Sequence, residues 1–153
     1  MSIPVNYFAA EPLIIARIVA RLGASLLKVG GVAEFEYALE NDGPYPSAFV
    51  LYDGENIEQK GPTGRRMASL QRWQVSLLTR PTISLDTGKA SLGESGTLLS
   101  SLVDALSGWT PAPYFQALMR VQARGQSVIY ANGLAMFTLD YELGVPIAMS
   151  AAA

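Results

Sequence analysis

The sequence predicts an α+β fold: a largely antiparallel sheet flanked by about three helices, in one domain. Three observations predict it. Apolar residues recur at helical spacing near the start and again near residue 100, whereas other apolar runs alternate with period two. The alternating runs cluster in pairs around the late helix, as in an antiparallel sheet with its helices set against one face. With 153 residues, half of them hydrophobic and 16% charged, the chain can bury one core. No linker or internal repeat divides it, so 1–153 reads as one unit, with about 148–153 expected to fray.

Each element has a local reason. Pro12 suits a first helical turn, and Ile14, Ile15, Ile18, Val19 and Leu22 follow at helical spacing. Arg17 and Arg21 take the opposite side and Gly23 supplies the stop. Leu26–Val29 reads as a short apolar link. Val32–Glu40 fits helix and strand equally by period, and its glutamates and alanines favour the helix. Asn41-Asp42-Gly43-Pro44 ends it. Ser47–Asp53 is a buried strand bounded by Pro46 and Gly54. Glu55–Arg66 is polar, contains Gly61-Pro62-Thr63-Gly64, and reads as an exposed loop or hairpin arm.

Met67–Thr79 is a long strand, with Trp73, Val75 and Leu77 on one face and Arg72, Gln74 and Ser76 on the other. Asp86–Gly96 reads as a connector, with Ser95 or Thr97 to cap the next helix. Leu98, Leu99, Leu102, Val103 and Leu106 define that helix, which Ser107-Gly108 ends before Trp109. After the turn Thr110–Pro113, strands are expected at Phe115–Arg124, Val128–Asn132 and Ala135–Glu142. Gly125 marks a turn, and Asn132-Gly133 is a strong hairpin signal.

Composition narrows the function. The chain has no histidine and no cysteine, which removes the Ser–His–Asp triad, thiolate nucleophiles, disulfides and His- or Cys-ligated metals. Eleven basic and thirteen acidic residues give a net charge of −2, so no basic surplus attracts nucleic acid. The start lacks the basic region of a secretory signal, and the apolar stretch Leu13–Leu22 is far short of a bilayer span. A soluble intracellular protein without membrane contact is expected.

The motif search returns no catalytic, cofactor or metal residue. Gly88, Gly93 and Gly96 lack the Gly-Lys-Ser/Thr of a phosphate loop. Asp53, Glu55 and Glu58 lie close together but lack calcium-loop spacing, so a solvated loop is the better reading. Asp140 and Glu142 share one face of the last strand, which should be polar. Lys60, Arg65, Arg66, Lys89 and Trp109 are the candidate interaction residues. Lys60, Arg65 and Arg66 lack aromatic interleaving, so a solvated loop or an arm pairing with acidic protein groups fits them better than nucleic acid. Trp109 could anchor an interface, but packing beneath its helix is the better reading. The strands also offer more apolar positions than two helices cover, leaving some for a partner subunit.

Several segments, in order, carry a resemblance. Leu27-Lys28-Val29-Gly30-Gly31-Val32-Ala33-Glu34-Phe35 precedes Pro46-Ser47-Ala48-Phe49-Val50-Leu51 and the loop Gly54-Glu55. Arg72-Trp73-Gln74-Val75-Ser76-Leu77-Leu78 follows, then Leu102-Val103-Asp104-Ala105-Leu106-Ser107-Gly108-Trp109-Thr110-Pro111. This order resembles the tail terminator (tail completion) proteins of tailed bacteriophages, of the Mu-like contractile-tailed type. It runs from about Leu13 to Pro113, and Ala-Leu-x-Gly-Trp-x-Pro is its most distinctive part. Glu55–Arg66 and Gly88–Gly96 match no family motif.

The resemblance implies a non-enzymatic virion protein of the tail and neck, assembled in the host cytoplasm. It implies a homo-hexameric ring on the head-proximal end of the tail tube that stops polymerisation and offers a joining surface. The implied partners are the tail tube protein and neck, head-completion or connector proteins, with the tail sheath as a further candidate. Direct nucleic-acid recognition is not implied. The alternatives are a head–tail stopper or other neck connector and, behind it, a small ligand-binding domain or enzyme using Asp53, Glu55 or Asp140.

Overall fold

A computed structural model describes residues 6–60, 66–80, 90–131 and 133–148. In chain order the elements are α1 (Ala10–Leu22), β1 (Lys28–Gly30), α2 (Val32–Glu40), β2 (Ser47–Lys60) and β3 (Arg66–Thr79). Then come α3 (Ala90–Leu106), β4 (Met119–Val121), β5 (Val128–Ala131) and β6 (Leu134–Ala148). They form one sheet in the order β1-β2-β3-β6-β4, with β5 also paired to β6. Among the described residues only β1 with β2 is parallel; the other pairs are antiparallel. The fold is α+β, with a largely antiparallel sheet.

β3 and β6 are the spine. They stay in register from Arg66 opposite Ala148 to Thr79 opposite Ala135. Period-two alternation then sends Trp73, Val75 and Leu77 of β3 and Phe137, Leu139 and Tyr141 of β6 to the same face. Ile14, Ile18 and Leu22 of α1 cover that face together with Leu98, Leu102 and Leu106 of α3. These residues form the main core.

On the opposite face α2 covers one end only. Ala38 packs on Phe49 and Leu78, with Phe35 set edge-on to Phe49 at 5.5 Å between ring centroids. The sheet beyond α2 is polar: Ser76 meets Thr138 at 3.4 Å, and Gln74, Arg72, Asp140 and Glu142 follow.

The structure differs from the sequence reading in six places. The helices do not share one face: α1 and α3 cover one and α2 the other, because Phe49 and Leu78 offer α2 an apolar patch there. Lys28–Gly30 is a strand, paired in parallel with Ser47–Phe49, not a link. β2 does not stop at Gly54. An irregularity between Tyr52 and Glu55 accommodates an extra residue, with Gly54 at φ +95°, and the ladder resumes to Lys60. The late helix begins at Ala90, so Ser95 and Thr97 lie within it rather than at its cap. Ser95 meets Thr79 at 3.0 Å in a buried hydroxyl pair, and the Thr97 hydroxyl donates to the Gly93 carbonyl. The strand expected over Phe115–Arg124 shrinks to Met119–Val121, because Phe115 and Leu118 turn into the core. β6 extends to Ala148, six residues past Glu142, because β3 supplies partners that far.

Other readings stand. α2 is helical, Gly108 ends α3 at φ +77°, and Ala131 pairs with Leu134 across Asn132-Gly133. Residues 86–89 of the expected connector and 149–153 of the expected tail lie outside the described residues.

Candidate functional site

The long hairpin β2–β3 is the first candidate. Its outer part pairs Glu55–Lys60 with Arg66–Gln71, and β6 lies alongside β3 up to Ala148. Lys60 and Arg66 are register partners at the end of the described ladder. Arg65 lies outside the described residues, as does Lys89. The reading of Glu55–Arg66 as an arm therefore holds for its two strands.

At the arm's base, Glu55 takes up the hydroxyls of Tyr7 and Ser69, a short hydrogen-bonded node between the N-terminal turn and the hairpin. Beside it a buried chain runs from the Trp73 indole N–H to Gln71 Oε1 at 3.1 Å, then from Gln71 Nε2 to the Tyr7 carbonyl at 2.9 Å. A fully buried glutamine is costly unless both ends of its amide are used, and here both are.

Trp109 is half-buried. The Arg17 guanidinium lies 5.3 Å from its ring centroid, and Arg17 Nε donates to the Ala105 carbonyl at 2.9 Å. Trp109 thereby ties α1 to the end of α3, in keeping with the packing interpretation.

A second cluster sits on the polar face. Arg72 is buried, and its Nε lies 3.1 Å from Asp140, whose side chain is fully buried. Asp53 at 3.9 Å and Glu142 at 3.7 Å flank the guanidinium, and the Gln122 carbonyl accepts from it. Sequence reasoning placed Arg72, Asp140 and Glu142 on polar faces but did not join them. The missing information was the register that sets Arg72 opposite Glu142 and Gln74 opposite Asp140. Beside this cluster, an open polar cavity of about 510 Å³ is lined by Arg120, Gln122, Ser127, Thr138 and Asp140, among others.

Four groups among the described residues have displaced protonation equilibria. Burial pushes the phenols of Tyr45, Tyr52 and Tyr141 upward, away from neutrality. The Glu34 carboxyl is held low by its own backbone N–H and that of Gly31. Among the described residues no three metal-ligating side chains converge, and no helix is long and apolar enough to cross a membrane. The Arg72 cluster is a structural ion network. The hairpin and the sheet edges are the other exposed features of the fold.

A family model described as "Phage tail terminator protein" matches residues 5–151. No curated protein sequence matches. One similar solved chain belongs to the virion of a native gene transfer agent particle. It is 13% identical, with a TM-score of 0.55, covering 93% of this chain and 100% of that one. At that identity the likeness is one of fold.

Proposed function

Because this chain belongs to the phage tail terminator family, we propose that it works as a hexameric ring on the head-proximal end of a tail tube. The ring stops tube polymerisation and presents a joining surface to neck or connector proteins. Family membership carries the coarser statement, a structural role in tail completion within a virion; the family is a structural one, not an enzyme family.

The physical logic supports the finer reading. A growing tube exposes the same heterologous interface at each layer, so growth continues until something occupies that interface without regenerating it. A terminator must match the tube on one side and differ on the other. A strand-built arm suits the task, because it reaches past the protomer's own core while its backbone stays hydrogen-bonded. Lys60 opposite Arg66, with Arg65 next in sequence, concentrates positive charge at the arm. A run of basic residues in sequence suits an acidic neighbour.

Light scattering on the purified protein, alone and with assembled tail tubes, tests this. A hexamer, or stable binding at one tube end, is expected. A monomer that ignores tubes and binds neck proteins instead would replace it with the neck-connector reading. Reversing Arg65 and Arg66 to glutamate is expected to weaken ring formation or tube binding. Unchanged behaviour would remove the arm from the proposal.

A further inference from the structure

The two edges of the sheet are chemically opposite, and the geometry points to a head-to-tail contact in which the β5 edge of one copy docks on the α2 edge of the next. This rests on the ring reading and names the surfaces that would build the ring.

At one edge, β5 pairs only with β6 among the described residues, so its outer backbone groups are free. Its side chains are exposed on both faces: Val128 and Ile129 at 38% each and Tyr130 at 64%. Edge strands of soluble proteins are normally blunted by charge or proline. The β5 strand has neither.

At the other edge, α2 packs against β1 and β2. Outward it leaves Val32 50%, Tyr37 62% and Leu39 48% exposed. A nine-residue helix with three large apolar side chains in solvent has more apolar surface than its own core uses.

Charge identifies the occupant. From Ala105 to Leu139 the sequence has no acidic residue, and two exposed arginines precede β5, Arg120 on β4 and Arg124 between the two strands. The helix α2 carries three glutamates and no basic residue, with Lys28 of β1 beside Glu34. Glu34 is engaged by Gly31 and Asp42 by Arg80, but Glu36 and Glu40 make no ion pair or hydrogen bond among the described residues. Arg120 and Arg124 likewise make none there. The apolar β5 patch, with arginines near it in the chain, and the apolar α2 patch, with its glutamates, therefore sit toward opposite ends of the strand order. Two complementary patches on different sides of one protomer give a heterologous contact, the kind that closes rings.

The lack of native cysteine allows a direct test. Under mild oxidation in solution and on tail tubes, Tyr37→Cys mixed with Tyr130→Cys should give a disulfide dimer. A chain carrying both changes should give a ladder up to the ring. Tyr130→Cys or Tyr37→Cys alone should stay uncoupled; efficient coupling of either alone would mean symmetric pairing and overturn the inference. Arg120→Glu with Arg124→Glu should weaken association about tenfold, and mixing that variant with Glu36→Lys/Glu40→Lys should restore it. A misfolded variant could not be restored in this way. Rings that form without cross-linking or charge sensitivity would overturn the edge pairing and leave the ring reading intact. A wild-type protein that never associates, alone or on tubes, would defeat the ring reading itself.

Discussion

Arg72 and Trp73 are neighbours on β3 that serve opposite faces of the sheet. Trp73 points into the core under α1 and α3, lies 5.2 Å edge-on from the Tyr52 ring, and uses its only polar atom on Gln71. Arg72 points to the face that α2 leaves open, and is buried among carboxylates instead of helices. The difference shows two ways to finish one sheet. Where a helix covers a face, apolar burial stabilises it. Where none does, an ion pair can fill the space, but only while both partners remain.

Truncation separates the two faces. Trp73→Ala is expected to cost about 4 kcal/mol, from the cavity it leaves plus the abandoned Gln71 acceptor. Urea denaturation would read this as a lower midpoint with little change in slope, and a loss under about 1 kcal/mol would mean the core collapses around the gap. Arg72→Met should cost somewhat less, about 3 kcal/mol, because the Asp140 carboxylate would be stranded without its cation. Adding Asp140→Leu to Arg72→Met should recover most of that loss. If the double variant is no better than the single, the cluster is not a coupled unit.

The smallest effect belongs to α2, the element that covers the second face only in part. Glu34 accepts the Gly31 N–H at 3.0 Å, and backbone donors hold its carboxyl below the usual value of 4.5. Its contribution is therefore present above that unfolded value and lost as pH falls through the lowered folded one. Amide exchange across α2 should speed up in that acid window, and Glu34→Gln should abolish this pH dependence while changing global stability less than either change above. The same pH response in the glutamine variant would assign the effect to another group.

Much of the fold was legible before any coordinates. Ile14, Ile18 and Leu22 announced α1 through their spacing, and the alternation around Trp73 announced both faces of β3, because local periodicity reports which side of an element meets a core. Gly108 after Ser107 marked the end of α3, where a left-handed backbone is needed. Other features were less legible. The Lys28–Gly30 strand exists because β2 offers it a parallel edge, and three residues carry no period of their own. Ser95 looks like a helix cap until Thr79 is placed beside it. The basic residues of the arm were visible as composition, whereas the Arg72–Asp140 contact joins residues far apart in the chain and needed the β3–β6 register.

The sequence by itself determined the α+β class, the helix-facing core and the lack of histidine and cysteine chemistry, because these depend on residue type and short-range period. Only the tertiary structure decided that β6 stands between β3 and two short edge strands, and that the acidic helix α2 and the apolar strand β5 end up toward opposite edges. Strand order and register are fixed by long-range pairing, in which a shift of one residue exchanges the faces of a whole strand. No local pattern in the chain carries that choice.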